Sequence, residues 1–138
     1  MRALFLLSCL LPALAVAAAS PLESVTTRGE ESIPQRMVSL AVKQELAETD
    51  PRVVLARKQM AKAVKATGET EQAVAAACTR AARFIFDSTK SPATSLDVLE
   101  ALADKGAGRP MSDTIGRYVE VRRNSAGKTH AEAMAALK

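Results

Sequence analysis

The stretch "DPRVVLARKQMAKAVKATGETEQAVAAACTRAARFIFD", residues 50–87, decides the fold class. Asp50 followed by Pro51 is a helix start: the carboxylate can accept from the first unpaired N–H groups, and proline at the first helical position lacks a donor that would go unused. Gly68 closes this helix after Ala66 and Thr67, because glycine enters the left-handed turn of a helix end without steric penalty. A further helix follows from about Glu69 to Asp87. At 100° per residue it gathers Val74, Ala77, Cys78, Ala81, Phe84 and Ile85 into one broad arc and sets Arg80 and Arg83 across from them.

Working outward, the same punctuation recurs. A first helix is expected from about Ser32, with Pro34 in its first turn, to Glu48, where "TDP" stops it. After the loop "STKSPAT", a fourth runs from Ser95 to Lys105 and ends at Gly106, and Ser112 is placed to cap a fifth that continues to about Asn124. Thr129 and Glu132 form a capping box that opens a short last helix. The composition is rich in Ala, Leu, Val, Lys, Arg and Glu, with one Tyr, three Phe and no Trp, which favours helix over sheet. The expectation is an all-α fold: a compact bundle of about five helices plus a short C-terminal helix, over residues 32–138.

The N-terminus "MRALFLLSCLLPALAVAAAS" has a basic Arg2, an apolar run to about Val16 and small residues after it, the form of a secretory signal. Ala17 and Ala19 suit a cut after residue 19, giving a mature start at Ser20, with a cut after Ala17 as the alternative. Cys9 in "LLSC" stands too early in the apolar run for a lipoprotein box. Residues 20–31, "SPLESVTTRGEE", lack an apolar period and read as a flexible leader. No later run reaches the roughly 18 apolar residues a membrane helix needs. The expected location is therefore outside the cytoplasm, periplasmic or extracellular.

Charge excludes little but argues against nucleic acid. Loss of Arg2 with the signal lowers the net charge from +4 to +3, and neither a dense basic cluster nor a nucleic-acid-binding motif accompanies it. Catalytic patterns are equally thin. Cys78 falls among core positions, where a thiol behaves as a small hydrophobe; a covalent dimer through it, or a reactive thiol, are the competing readings. His130 is the only histidine and is expected to be solvated in a terminal helix. One cysteine and one histidine do not furnish a zinc site, and no cofactor is implied. "AGKT" at 126–129 lacks the glycine and the strand that a phosphate loop requires, with Arg122 where that glycine would be. Glu69 with Glu71, and Asp97 with Glu100, suit helix first turns.

The surface holds two candidate contact regions. Lys58, Lys62 and Lys65 form a basic stripe on the second helix opposite Val53, Met60 and Val64, whereas Asp97, Glu100 and Asp104 form an acidic stripe on the fourth. Both read as solvated faces, with an anionic envelope component, an acidic protein or the complementary stripe of a second molecule as the sharper alternatives. The first helix has two apolar sides, Ile33, Met37, Leu40 and Ala41 on one and Val38, Val42 and Leu46 on the other. It is read as sandwiched in the core, with Val38, Val42 and Leu46 as a partner-binding stripe if it is not. Arg122 interrupts the apolar face of Met111, Ile115, Tyr118 and Val119 and is expected to snorkel at the core edge. Together these features point to a small exported, non-catalytic binding or accessory protein. The alternatives are a secreted effector acting on a host target, although no R-x-L-R tetrapeptide follows the signal, or a small enzyme or enzyme inhibitor using Cys78, His130 or Arg122.

Overall fold

A computed structural model describes residues 29–124 and 129–138. Over them the chain forms six α-helices and no strand: α1 (Ile33–Val42), α2 (Pro51–Thr67), α3 (Glu71–Thr89), α4 (Ser95–Lys105), α5 (Met111–Arg123) and α6 (His130–Ala136). The all-α bundle expected from the sequence is the fold. The expected signal at 1–19, the leader up to residue 28 and the "AGK" of "AGKT" lie outside the described residues.

Most helix starts are built by the residues that announce them. Asp50 accepts from the Arg52 N–H at 2.9 Å. The Arg52 side chain also grips that carboxylate and, with the backbone hydrogen bond, holds it down to about 2. Ser32 with Gln35, Thr94 with Asp97, and Thr129 with Glu132 each close a reciprocal capping box, satisfying two orphan donors at once. Two expected boundaries move. α5 opens at Pro110 without a side-chain cap, so Ser112 sits inside its first turn. α3 runs from Glu71 to Thr89 with Thr70 as its cap.

The first helix stops well short of Glu48. Lys43 takes a left-handed conformation, φ 56°, and the Gln44 N–H returns to the Ser39 carbonyl at 3.0 Å. The chain then folds back so that Leu46 donates its N–H to Ser39 Oγ at 3.2 Å, while its carbonyl accepts from Gln35 Nε2 at 2.7 Å. Leu46 ends only 8% exposed, packed with Val38, Val53 and Ala56. Burying a leucine is worth about 1.5–3 kcal/mol, more than the roughly 1–2 kcal/mol that a left-handed lysine costs.

α4 is the hub, packing against α1, α2, α3 and α5 with Val98, Leu99, Ala101 and Leu102 buried. At its end a side chain on Gly106 would stand 2.4 Å from the Leu102 carbonyl oxygen, so only glycine closes this helix without displacing backbone. The main core joins Met37, Met60, Val74, Cys78, Ile85 and Tyr118 to the α4 residues. α1 is sandwiched: Met37 faces this core and Val38 faces the smaller Leu46 cluster. α6 is anchored by buried Ala133 and Leu137. No helix among the described residues is long and apolar enough to cross a membrane.

Two expected faces are rotated. In α3 the buried arc extends through Ala75 and Ala82, while Phe84, at the opposite edge beside Ala77, is 50% exposed. In α5 the buried stripe is Thr114, Tyr118 and Arg122, leaving Met111, Ile115 and Val119 only partly covered. Arg122 does not snorkel; it is 2% exposed.

Candidate functional site

Burial of Arg122 creates a polar chain inside an otherwise apolar bundle. Its Nη1 donates to the Tyr118 hydroxyl at 3.0 Å, and its Nη2 donates to the Pro92 carbonyl at 2.5 Å, with Ser91 Oγ at 3.5 Å. The Tyr118 hydroxyl lies 2.8 Å from His130 Nδ1, and His130 Nε2 lies 3.0 Å from Glu100 Oε2. A guanidinium can only donate, so the tyrosine oxygen accepts from Arg122. Its contact with Nδ1 and the contact of Nε2 with the Glu100 carboxylate hold the imidazole at both nitrogens. His130 is consequently not the solvated residue the sequence suggested: both ring nitrogens are engaged, binding α6 to α4 and α5.

The chain looks like an acid–base relay but is built as a clamp. Tyr118 has no exposed surface, and burial pushes its hydroxyl pKa up against the opposing pull of Arg122. Its oxygen is committed on both sides, leaving no approach for a substrate. The described partners of Arg122 are all neutral oxygens, and its Nε is buried with no partner. Cys78 is fully buried in the main core and burial pushes its thiol up to about 12, far from the range of reactive thiolates. With both nitrogens of His130 taken by other residues, the structure does not pair Cys78 with His130. Nor can a thiol without exposed surface meet a second chain's sulfur while the domain is folded. Among the described residues no group of His, Cys, Asp and Glu side chains could hold a metal ion.

The charged stripes are used largely within the molecule. Asp97 closes the capping box of α4, Glu100 holds His130, and Asp104 stands 3.8 Å from Lys62. Part of the basic stripe on α2 therefore faces the acidic stripe on α4 of the same chain; Lys58 and Lys65 remain on the solvent side. The stripe of Val38, Val42 and Leu46 is not one surface. Val38 and Leu46 are buried together, and Val42 is 37% exposed at the end of α1.

A different surface is open. Between α3 and α5 runs a groove of about 440 Å³. It is lined on α3 by buried Ala77 and Ala81 and half-exposed Phe84, and on α5 by partly buried Met111, Ile115 and Val119 with exposed Ser112 and Gly116. Gly116 lies mid-helix at an exposed position on the rim of this groove, and a Cβ built on it meets nothing within 4 Å. Arg80 lines the groove, and Arg123 places its guanidinium 5.5 Å from the Phe84 ring centre, a distance at which the cation and the ring face attract. The acids of α5, Asp113 and Glu120, line the adjoining hollow beside Arg109 and Arg117 instead. The sequence places Phe84 and Ile115 on apolar arcs of their helices, and in the folded chain Phe84 is half exposed and Ile115 only partly covered.

No protein-family model, curated protein or solved structure matches the chain.

Proposed function

We propose that the chain is a small exported binding protein that captures an apolar segment of another molecule in the groove between α3 and α5. The observation that carries this reading is the groove itself: Phe84, half exposed, lines it together with the partly covered Met111, Ile115 and Val119. A half-hydrated phenylalanine beside further partly covered apolar side chains is surface that a bound apolar segment would remove from water. The polar chain from Glu100 to Arg122 serves the fold by fixing α6 and α5, the latter carrying one wall of the groove. Export follows from the N-terminal sequence, and the binding role is assigned to the mature chain outside the cytoplasm.

The test uses a groove-filling variant. Gly116→Leu adds an apolar side chain into open space on an exposed helical position, and replacing glycine by a good helix former favours the helix. A solvatochromic apolar dye should bind the wild-type mature chain and lose most of its signal with Gly116→Leu, while circular dichroism and thermal stability hold or improve. Dye binding unchanged by the filled groove would remove the basis of the reading.

A further inference from the structure

Resting on that reading, we infer that the groove takes an acidic amphipathic helix from a partner protein. The shape argues for a helix. On α3 the groove is lined at Ala77, Arg80, Ala81 and Phe84, positions three, four and seven residues apart, so it extends about 10 Å along the axis. That length matches two turns of a docked helix presenting apolar residues at the i, i+3, i+4 and i+7 spacing of helix-in-groove recognition. Small, buried Ala77 and Ala81 let an incoming helix approach α3 closely, and Phe84, Met111, Ile115 and Val119 supply apolar contacts.

The charge argues for acid. Among the described residues neither Arg80, which lines the groove, nor Arg123, whose guanidinium lies against the Phe84 ring, forms an ion pair with a carboxylate. By contrast, Arg83 on the same helix already faces Asp87 at 3.6 Å, Asp113 lines the neighbouring hollow, and Glu120 lines that hollow and a second one beside Arg123. Two arginines beside an apolar groove complement glutamates or aspartates flanking the partner's apolar stripe. Guanidinium–carboxylate pairing across such an edge can be bidentate and sets orientation as well as affinity.

Three labelled peptides of about 14 residues, long enough to form a helix on contact, test this by fluorescence anisotropy with the mature chain. The first carries leucines at i, i+3, i+4 and i+7 flanked by glutamates; the second replaces the glutamates by lysines; the third scrambles the first. The acidic amphipathic peptide should bind about tenfold more tightly than the lysine version and outbind the scrambled one, with the gap narrowing as salt screens the charges. Arg80→Glu/Arg123→Glu should close or invert the gap without altering the circular dichroism spectrum. Arg80→Glu alone, which keeps the Arg123–Phe84 contact, should give part of the change. Equal affinities, a preference for the lysine peptide, or binding of anionic phosphatidylglycerol vesicles in place of the peptide would overturn the inference. If the peptides fail in this way while Gly116→Leu still expels the apolar dye, the acidic-helix inference alone falls; if the dye is indifferent to Gly116→Leu, the groove reading falls first.

Discussion

Tyr118→Phe removes one oxygen from the middle of the polar chain, and its cost separates a clamp from an incidental contact. The ring stays in place, so little packing is lost, but Arg122 Nη1 loses the acceptor it reaches at 3.0 Å and His130 Nδ1 loses its hydroxyl partner at 2.8 Å. A hydrogen bond to a charged group contributes about 1.5–3 kcal/mol, and a buried donor left unsatisfied costs about 1–3 kcal/mol. With Arg122 Nε already unpartnered, a second stranded donor falls at the upper end, and the expected loss is about 2–3 kcal/mol. Arg122→Met should cost less, within about 1 kcal/mol of wild type, because removing the guanidinium also removes its desolvation penalty. In the double variant the two losses should not add, with a coupling of about 1–2 kcal/mol. Urea unfolding of the four proteins, followed by circular dichroism, measures each value. For a domain of this size Tyr118→Phe should also lower the melting temperature by about 10 °C. A Tyr118→Phe variant within 0.5 kcal/mol of wild type, or one less harmful than Arg122→Met, would refute the clamp.

Other perturbations follow from the same packing. Cys78→Ala should cost about 1–2 kcal/mol through a small cavity, and thiol reagents should label the native protein slowly. Because burial raises this thiol from 9.0 to about 12, its contribution is complete below pH 9 and is lost as pH rises from there towards 12, up to about 4 kcal/mol over the window; alkaline unfolding of wild type against Cys78→Ala checks it. Gly116→Ala should stabilise the domain by about 0.5–1 kcal/mol in thermal melts, as expected for a helical glycine with open space around it. Leu46→Ala should cost about 2–3 kcal/mol and Val42→Asp under about 1 kcal/mol, since the first is buried and the second exposed at a helix end; denaturant midpoints in the opposite order would mean that α1 continues past Val42.

Local signals carried the fold a long way because capping is local chemistry. Asp50, Thr94 and Thr129 act within three residues of themselves, and the structure places all three as helix caps. The end of α1 was hidden because its cause is tertiary: Lys43 carries no mark of a left-handed turn, and the turn exists to return Leu46 to Val53 and Ala56. His130 was misread for a similar reason. Its partners lie 12 and 30 residues away, at Tyr118 and Glu100, and no spacing rule joins them. Helical periodicity located the apolar sides of α3 and α5 but not their edges, where Phe84 is half exposed and Arg122 is buried beside Thr114 and Tyr118. The groove depends on those edges, and so it emerged only with the packed helices.

Contact through the α3–α5 groove can be trapped by placing a photo-cross-linking residue at Phe84, and separately at Lys58, in the full chain expressed in its own cells. A discrete adduct is expected from position 84, mapped to an acidic helical segment of the partner and abolished by Gly116→Leu, with none from position 58. An adduct from position 58 that survives Gly116→Leu, with no groove-dependent adduct from position 84, would contradict the groove reading and return the contact surface to the lysine face of α2.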